Sequence, residues 1–579
     1  MGDWLHRRLE QIRLNLSRSD ALLTLALMGL VTGVLAGGVI VAFRLAVEEG
    51  PAFFMPGREA ENFEALPAWL RLLMPIAGGL FIGLLFRWAA GGQYVMGVAR
   101  VMERLAYHQG YISLREFVLQ FVGAAVSIVS GHSVGREGPH VYLGAAAGSL
   151  LGQRLSLPNN SIRTMVGCGI AAAIAASFNT PLAGVIFALE VVMMEYTLAS
   201  FIPVILAAVS ANAVFIVVFG DVPAFQVPAL ELDSLAEMPV VLVLGLAVGC
   251  IAALFIQLFQ SFARHGEALA FWWRTMLAGL IVGLCALAAP EVMGIGYDTV
   301  NSALLGELGL GFLVVLVLLK VLASAACGGL GIPGGMIGPS LFIGAVAGGL
   351  VGQLAVQLLP GAVSNPGFYA LLGMGAMMGA SLQAPLAGLT AMVELTHNPE
   401  IIMPGMLVIV VAALTASELF GKGSIFITML KSAGLDYHTS PVLQALRRVG
   451  VGGVMKRNFV RHDRMIGLSG ARELLAGDPE WILVDEDGRP AALLRAVDLA
   501  RHIEGNEEED GMTTIDLMQI PAWREQVAPI HLQATLQEAL ESLDREAVEA
   551  LYVERVTAPG IRHIYGVLTR EQIESAYHY

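Results

Sequence analysis

The chain has 579 residues, of which 56% are hydrophobic and only 14% are charged. A soluble domain carries about 25% charged residues, so this composition argues against a single soluble enzyme. The formal net charge of −14 argues against a nucleic-acid-binding protein, which would show a basic patch. The charge is also uneven, because residues 1–440 are about 10% charged and residues 441–579 about 27%. The sequence therefore predicts a large apolar body followed by a soluble tail.

The apolar body contains long hydrophobic runs, among them Ala21–Phe43 and Val240–Ile256. A helix needs about 20 apolar residues to cross a bilayer, and these runs reach or approach that length. Shorter runs rich in Gly and Ala, such as Gly138–Leu151, are typical of broken helices that line a cavity in a membrane protein. We therefore expect a multi-pass, all-α protein of the cell (inner) membrane.

Basic residues indicate the orientation of both ends of the chain. Residues 1–20 combine arginines with regularly spaced apolar residues, which predicts an amphipathic helix on the cytoplasmic face. Arg447, Arg448, Lys456 and Arg457 follow the last apolar run and place the tail on the same side. We therefore expect cytoplasmic N- and C-termini, with the lipid bilayer as a partner.

An internal repeat divides the apolar body. The block Pro181–Gly184, with Glu190 nine residues after its proline, returns 204 residues later as Pro385–Gly388 with Glu394. An upstream Gly-Pro block repeats in the same order at a shift of 200. A carboxylate inside an apolar span is costly and is typical of a functional residue. Because Glu190 and Glu394 occupy equivalent places in the two repeats, however, a structural bond to a neighbouring loop is favoured.

Two copies of a multi-helix unit, commonly inverted and with an ion site between them, are typical of transporters. The repeat divides the membrane body, and the change in composition near residue 440 together with the tail's own pattern, described below, gives the remaining predicted boundaries. In chain order they are 1–20 for the amphipathic helix, 21–230 for membrane repeat 1, 231–435 for membrane repeat 2, and 440–505 and 506–579 for two tail modules.

Glu137 is the strongest candidate for a functional residue. It lies immediately before Gly138-Pro139, which open an apolar helical run. Free backbone N–H groups and the helix dipole make such an N-terminus an anion site. A carboxylate there occupies the site when ionised and loses its attraction when protonated. Glu137 is therefore predicted to be a gate and a proton carrier, with a merely favourable N-terminal charge as the alternative.

Three segments together resemble the CLC family of chloride channels and proton-coupled chloride exchangers. They are Gly135–Pro139, Phe178–Gly184 and Gly334–Pro339, in the family's order and at family-like spacing. The resemblance implies a CLC fold of two inverted repeats and a homodimer with one pore per subunit, which moves inorganic ions and protons. It also implies that Glu137 is the gating glutamate. The positions that the resemblance implies for ion binding are Met96, Gly97, Gly135, Arg136, Gly138, Met336, Ile337 and Phe426.

Several ion-path positions depart from the family's pattern. Met96 stands where the resemblance implies a serine hydroxyl, and Phe426 stands where it implies a tyrosine hydroxyl. Gln120 replaces a lysine, and Val191 replaces the second proton-accepting glutamate of the exchangers. Glu190, Gln120 and Val191 are therefore the candidate internal proton path.

Two hypotheses explain the lost hydroxyl groups. Each lost donor to a desolvated anion removes a hydrogen bond worth about 1.5–3 kcal/mol, which puts ordinary chloride affinity in question. In the first, the protein is an anion transporter, and either it handles another anion such as fluoride or backbone amides alone bind chloride at weak affinity. In the second, the carboxylate serves a cation such as Na⁺ in a proton-coupled exchanger. Arg136 beside the gate argues against the cation.

The tail resembles the paired CBS domains that many CLC proteins carry, which predicts an α/β module on each side of the acidic linker Asn506–Gly511. In nucleotide-binding CBS modules, a Ser or Thr and an Asp three residues later hold phosphate and ribose. The first module keeps only Asp498 and the second only Thr569. Adenine-nucleotide binding and a purely structural dimerisation role are the alternatives. The sequence has no nucleophile elbow, P-loop or metal-ligand set, so we expect neither an enzyme nor any other cofactor.

Overall fold

The computed structural model describes residues 16, 21–49, 62–90, 97–221, 223–228, 232, 234–361, 363–435, 441–505, 514–558 and 561–576. Almost all of the predicted amphipathic helix 1–20, together with Met96 and the acidic linker, lies outside the described residues. The chain forms two compact units. One consists of Leu25–Arg154 and Ile162–Tyr437, and the other of Met1–Thr24, Leu155–Ser161 and His438–Tyr579.

The first unit is all-α. Within the described residues, nine helices are long and apolar enough to cross a membrane, as the hydrophobic runs predict. The helices of this unit are α1 Leu22–Arg44, α2 Ala68–Ala90, α3 Gly97–Tyr107, α4 Leu114–Val129, α5 Glu137–Arg154, α6 Asn159–Phe178, α7 Pro181–Phe187, α8 Leu198–Phe219, α9 Met238–Gly266, α10 Phe271–Ala288, α11 Tyr297–Leu304, α12 Leu310–Leu330, α13 Ile337–Leu358, α14 Pro366–Met377, α15 Pro385–Thr396, α16 Ile402–Leu414 and α17 Ile425–Ser432.

The repeat seen in the sequence is also a repeat of packing. A Cβ at Gly144 would clash with the carbonyl of Gly169, and a Cβ at the equivalent Gly344 would clash with that of Gly373. Both helix pairs therefore approach so closely that only glycine fits, as small residues allow in membrane helices.

A polar contact is repeated as well. His140 Nδ1 lies 2.5 Å from Ser177 Oγ on the neighbouring helix. Ser340 Oγ lies 3.0 Å from Ser381 Oγ at the equivalent place in the second repeat. Each pair joins the two helices that flank a repeated glycine contact, so the repeats share polar as well as apolar packing.

Glu190 and Glu394 join the two repeats reciprocally. The Glu190 carboxylate accepts hydrogen bonds from the backbone N–H groups of Leu386 (2.9 Å) and Ala387 (2.8 Å), at the start of α15. Glu394 accepts from Leu182 (2.9 Å) and Ala183 (2.7 Å), at the start of α7. Each glutamate thus satisfies the unpaired N–H groups at the start of a helix in the other repeat, whereas the sequence predicted a bond to a neighbouring loop.

The tail is α/β. Strands β1, β3, β4, β6, β7 and β8 form a six-stranded sheet in that order, and β2 pairs antiparallel with β5. The strands are β1 Phe459–Asp463, β2 Met465–Gly467, β3 Trp481–Glu486, β4 Arg489–Arg495, β5 Thr514–Asp516, β6 Glu525–His531, β7 Ala550–Ala558 and β8 Ile561–Thr569. The helices are α18 Pro441–Arg448, α19 Val451–Val454, α20 Leu468–Ala476, α21 Ala496–Gly505, α22 Leu536–Glu546 and α23 Arg570–Ser575.

Local sequence explains the β3–β4 hairpin of the tail. Asp487 and Gly488, between β3 and β4, have φ values of 51° and 75°, as a tight Asp-Gly hairpin turn requires. β1 pairs parallel with β3, and β6 pairs parallel with β7. Parallel strands need a crossover connection, and α20 and α22 supply it in the two pairs. The result is two similar strand–helix–hairpin–helix halves, the architecture expected of paired modules.

Candidate ion-binding site

Three helices of the membrane unit begin at one place. Gly135, just before α5, and Gly335, just before α13, exchange two backbone hydrogen bonds of 2.8 and 2.7 Å. The contact is so close that a Cβ at Gly138 would lie 2.5 Å from Gly335 Cα. Gly97, the first residue of α3, has a φ of +64°, and a Cβ there would lie 3.6 Å from the Gly334 carbonyl oxygen. Glycines therefore let the N-termini of α3, α5 and α13 converge.

Glu137 lies at this convergence and is fully buried. A Cβ at Gly135 would be 2.5 Å from Glu137 Oε2, and one at Gly338 would be 2.9 Å away. Within the described residues this oxygen has no hydrogen-bond partner, whereas Oε1 accepts a hydrogen bond from the hydroxyl of Tyr297. The carboxylate thus occupies the place that an anion would take among the helix N-termini, and Oε2 is the oxygen open to protonation.

Arg136 contacts both Glu48 and Glu137. Its Nη1 pairs with Glu48, which in turn pairs with Arg44 at 2.6 Å. Its Nε lies 3.8 Å from Glu137 Oε1, so the guanidinium contributes positive potential at this carboxylate. Glu48 lies in the π-helical turn Leu45–Glu49 that follows α1.

The other predicted ion-binding residues lie at helix starts. Met336 and Ile337 are buried where α13 begins, beside Gly338. Phe426 is buried at the second position of α17, and its backbone N–H is 3.3 Å from the capping hydroxyl of Ser424. Met96, one residue before α3, lies outside the described residues.

The three residues of the candidate internal proton path lie on different elements. Gln120 is fully buried in α4, and neither side-chain amide atom has a hydrogen-bond partner among the described residues. Val191 is buried in the π-helical turn Ala188–Met193. Glu190, in the same turn, is engaged with α15 rather than with Glu137. The structure does not join these residues into a hydrogen-bonded chain within the part it describes.

Sequence reasoning missed two side chains of the site, Tyr297 and Glu48. Tyr297 begins the eight-residue helix α11, and the chain separates it from Glu137 by 160 residues. Glu48 is 88 residues from Arg136. Neither residue belongs to a repeated block or to a family-like motif, so the sequence carried no signal for them.

A cavity of about 680 Å³ borders the same helix starts. Gly334 and Met336 line it, together with Arg100 and Arg274. Arg100 is paired at 2.6 Å with Glu103 and at 2.6 Å with Glu116. Arg274 makes one long contact of 3.5 Å to the carbonyl oxygen of Gly329, and its buried Nε has no partner among the described residues. Glu103 and Glu267 also line the cavity, so its two arginines are matched by two carboxylates.

The tail contains a second cavity, of about 780 Å³. Lys456, Trp481, Arg495 and Thr569 line it, and the Arg495 guanidinium lies 5.4 Å from the Trp481 ring centroid. Asp498 does not line this cavity and lies 3.7 Å from Arg501 in a helical ion pair. Of the two predicted nucleotide residues, the structure therefore brings only Thr569 to the cavity.

Comparison with known proteins agrees with this architecture. The family model described as voltage gated chloride channel matches residues 78–417. A putative chloride channel protein ClcB-like of Ralstonia nicotianae is 35% identical over 403 residues, which are 68% of this chain and 93% of the relative. The H⁺/Cl⁻ exchange transporter ClcA of Salmonella paratyphi B is 30% identical over 434 residues, which are 72% of this chain and 90% of the relative.

Solved structures share the fold. A eukaryotic CLC transporter aligns with a TM-score of 0.61 at 20% identity, over 95% of this chain and 98% of its own. A CLC-type fluoride/proton antiporter aligns with a TM-score of 0.58 at 23% identity, over 70% of this chain and 98% of its own. The apolar helices and the curated relatives together identify a multi-pass membrane protein. The chain belongs to the CLC family of voltage-gated chloride channels.

Proposed function

We propose that the protein transports chloride or a related anion in exchange for protons, with Glu137 as both gate and proton carrier. The observation that carries the proposal is the position of the Glu137 carboxylate among the N-termini of α3, α5 and α13. Backbone N–H groups at helix starts attract negative charge. Protonation of the carboxylate removes its attraction to this place and frees it for an anion. The protein acts as a transporter and not as an enzyme.

Charge near the site favours an anion over a cation. A cation bound to Glu137 would lie beside the Arg136 guanidinium, whose Nε is 3.8 Å from Oε1. The positive charge of Arg136 raises the local concentration of anions and opposes that of cations.

The main alternative is a different exchanged ion. Met96 and Phe426 stand at the positions where the resemblance to the family implies hydroxyl ligands. Fluoride, which one solved CLC relative exchanges for protons, is the anionic alternative, and Na⁺ is the cationic one.

Flux measurements in liposomes test the proposal. The full chain is reconstituted with imposed gradients of chloride, fluoride or sodium while proton uptake is recorded. We expect anion gradients to drive protons uphill, and Glu137→Gln to abolish this coupling because its side chain carries no exchangeable acid. The matched control is Glu237→Gln, which alters another buried glutamate that accepts hydrogen bonds from Ser364 and Tyr369.

Two outcomes would contradict the proposal. Uphill proton movement by Glu137→Gln would show that Glu137 is not the proton carrier. Proton movement driven by sodium but by neither anion, and lost in Glu137→Gln, would favour the cation exchanger.

We further propose that the protein is a homodimer with one pore per subunit and cytoplasmic termini, and that its tail is a CBS pair. Lys456 and Arg495 support an adenine nucleotide as ligand of the tail cavity, because both line it and can bind phosphate in place of their ion pairs with Glu480 (3.4 Å) and Glu571 (3.9 Å). Calorimetry of the full chain with ATP and AMP tests this. Heat that is lost in Lys456→Ala, a change at an exposed side chain of the cavity, supports nucleotide binding, and no heat at millimolar nucleotide contradicts it.

A further inference from the structure

Tyr297 belongs to the second predicted membrane repeat, and its side chain contacts Glu137 in the first. Its hydroxyl donates a hydrogen bond to Oε1 of Glu137, and it is the first residue of α11. Gly296, immediately before it, has a φ of +77°, and a Cβ there would lie 2.8 Å from the Phe342 ring. The backbone that presents Tyr297 is thus fixed by a glycine that no other residue can replace without strain.

The phenol ring is fixed as well as the backbone. The ring centroid of Tyr297 lies 4.7 Å from that of Phe225 and 6.4 Å from that of Phe178. The Arg136 guanidinium lies 5.2 Å from the ring centroid, a cation–π distance. Aromatic neighbours and a cation therefore hold the hydroxyl in one direction, toward the gate.

Few other charged groups face Glu137. Its own segment supplies Arg136, and through it Glu48 and Arg44. The starts of α3 and α13 present glycines. Two buried histidines of the same segment have partners of their own, His132 with Ser130 and His140 with Ser177. Among the described side chains, Tyr297 is thus the uncharged donor to Glu137, and Arg136 is the nearby cation.

We propose that Tyr297 is a positioning residue that latches Glu137 in its ionised, blocking position. This inference rests on the proposed function of Glu137. A hydroxyl that donates to a carboxylate makes a charge-assisted bond, which weakens when the carboxylate gains a proton. The latch therefore stabilises the ionised, blocking form against both proton uptake and displacement by an anion. Tyr297 sets the pH at which the gate opens and limits slippage of anions past it.

Tyr297→Phe tests the latch because it removes the hydroxyl and keeps the ring. We expect the midpoint of the flux–pH profile to move up by about one pH unit. We also expect anion flux at neutral pH to rise by about tenfold or more, with fewer protons moved per anion. The matched control is Tyr369→Phe, which removes another buried hydroxyl that donates to a glutamate, Glu237, at 2.5 Å. The control should leave the profile unchanged.

A double mutant separates this inference from the function on which it rests. In the Glu137→Gln background, Tyr297→Phe should not shift the pH profile further, since the ionisable partner is gone. An equal shift in both backgrounds would overturn the latch, and so would an unchanged profile in the single mutant. If Glu137→Gln alone stays fully coupled, the proposed function fails instead.

A second substitution covers the case in which Tyr297→Phe does not fold. Incorporation of 3-fluorotyrosine at position 297 keeps the shape and makes the phenol a stronger donor. The flux–pH profile should then move to lower pH. A shift to higher pH, or no shift, would overturn the proposal.

Discussion

The two carboxylate oxygens of Glu137 lie in different surroundings, and this asymmetry determines what the residue can do. Oε1 is held by Tyr297, whereas Oε2 lies against Gly135 and Gly338 without a hydrogen-bond partner in the described residues. A buried oxygen without a donor is costly when charged, so a proton added there relieves the cost. Under the proposed function, Glu137 can therefore block the anion site when it is ionised and carry a proton when it is protonated.

The sequence was sufficient to predict the site residue Glu137 but not the site residue Tyr297. Glu137 was predictable because the next two residues, Gly138 and Pro139, mark a helix start, and a helix start has a fixed electrostatic sign. Tyr297 was not, because its role depends on a contact across 160 residues that no periodicity or motif records. Residue spacing along the chain therefore predicts a site formed by neighbouring residues, whereas a contact between distant residues depends on how the helices pack.

The missing hydroxyls give a residue-scale prediction. Met96→Ser together with Phe426→Tyr should tighten chloride binding by about 2–3 kcal/mol, taking about 1–1.5 kcal/mol per hydrogen bond. This corresponds to roughly a 30- to 150-fold change in dissociation constant. Chloride calorimetry on the parent, both single mutants and the double mutant measures the change.

A buried phenylalanine elsewhere supplies the control. Phe368→Tyr adds a hydroxyl to a buried ring of α14, which is not one of the helices that converge at the site, so it should leave chloride affinity unchanged. A silent titration of the double mutant, combined with Glu137-dependent exchange of sodium for protons by the parent, would exclude the anion hypothesis.

At the scale of elements, broken helices and their repetition determine the site. Gly-Pro pairs start α5 and α13 at equivalent places, and Gly135 and Gly335 pair reciprocally, as two copies related by a two-fold axis would. The sequence repeat predicted these helix starts. The repeat also identified Glu190 and Glu394 as equivalent residues, 204 positions apart. It could not show what they contact, and the fold reveals that each glutamate bonds to the other repeat.

The reciprocal bonds give an element-scale prediction. Glu190→Ala and Glu394→Ala should each lower stability by about 2–4 kcal/mol, since each removes two hydrogen bonds from backbone N–H groups to a carboxylate. The two losses should be similar because the bond lengths are similar, between 2.7 and 2.9 Å. Thermal unfolding of the full chain in detergent measures them.

The surface carboxylate Glu400, which is exposed, provides the matched control. Glu400→Ala should leave the unfolding temperature unchanged. A loss confined to Glu190→Ala, with Glu394→Ala equal to the parent, would contradict the reciprocal role and point to a separate function for Glu190.

At the scale of the whole molecule, the chain contains two units that each bury their own apolar residues. The tail has separate clusters, one around Leu543, Leu551 and Leu568 and another around Ile482 and Leu494. The short segment Leu155–Ser161 belongs to the tail's compact unit although it follows α5 directly and includes the first three residues of α6. Composition predicted the change from apolar body to soluble tail near residue 440, but could not assign this segment, because its seven residues carry no distinctive composition.

Removal of the tail is the whole-molecule prediction. A chain that lacks residues 440–579 should still fold and carry Glu137-dependent ion flux, since both repeats and the converging helix starts lie upstream. It should also unfold at a lower temperature. Asn159 would lose its hydrogen bonds to the Gln533 carbonyl oxygen (3.0 Å) and to Glu538 Oε2 (2.9 Å), and Asn160 would lose its bond to the Arg448 carbonyl oxygen. Gel filtration, thermal unfolding and liposome flux measure these effects. Complete loss of folded protein, as opposed to a lower yield, would show that the tail is an integral part of the fold.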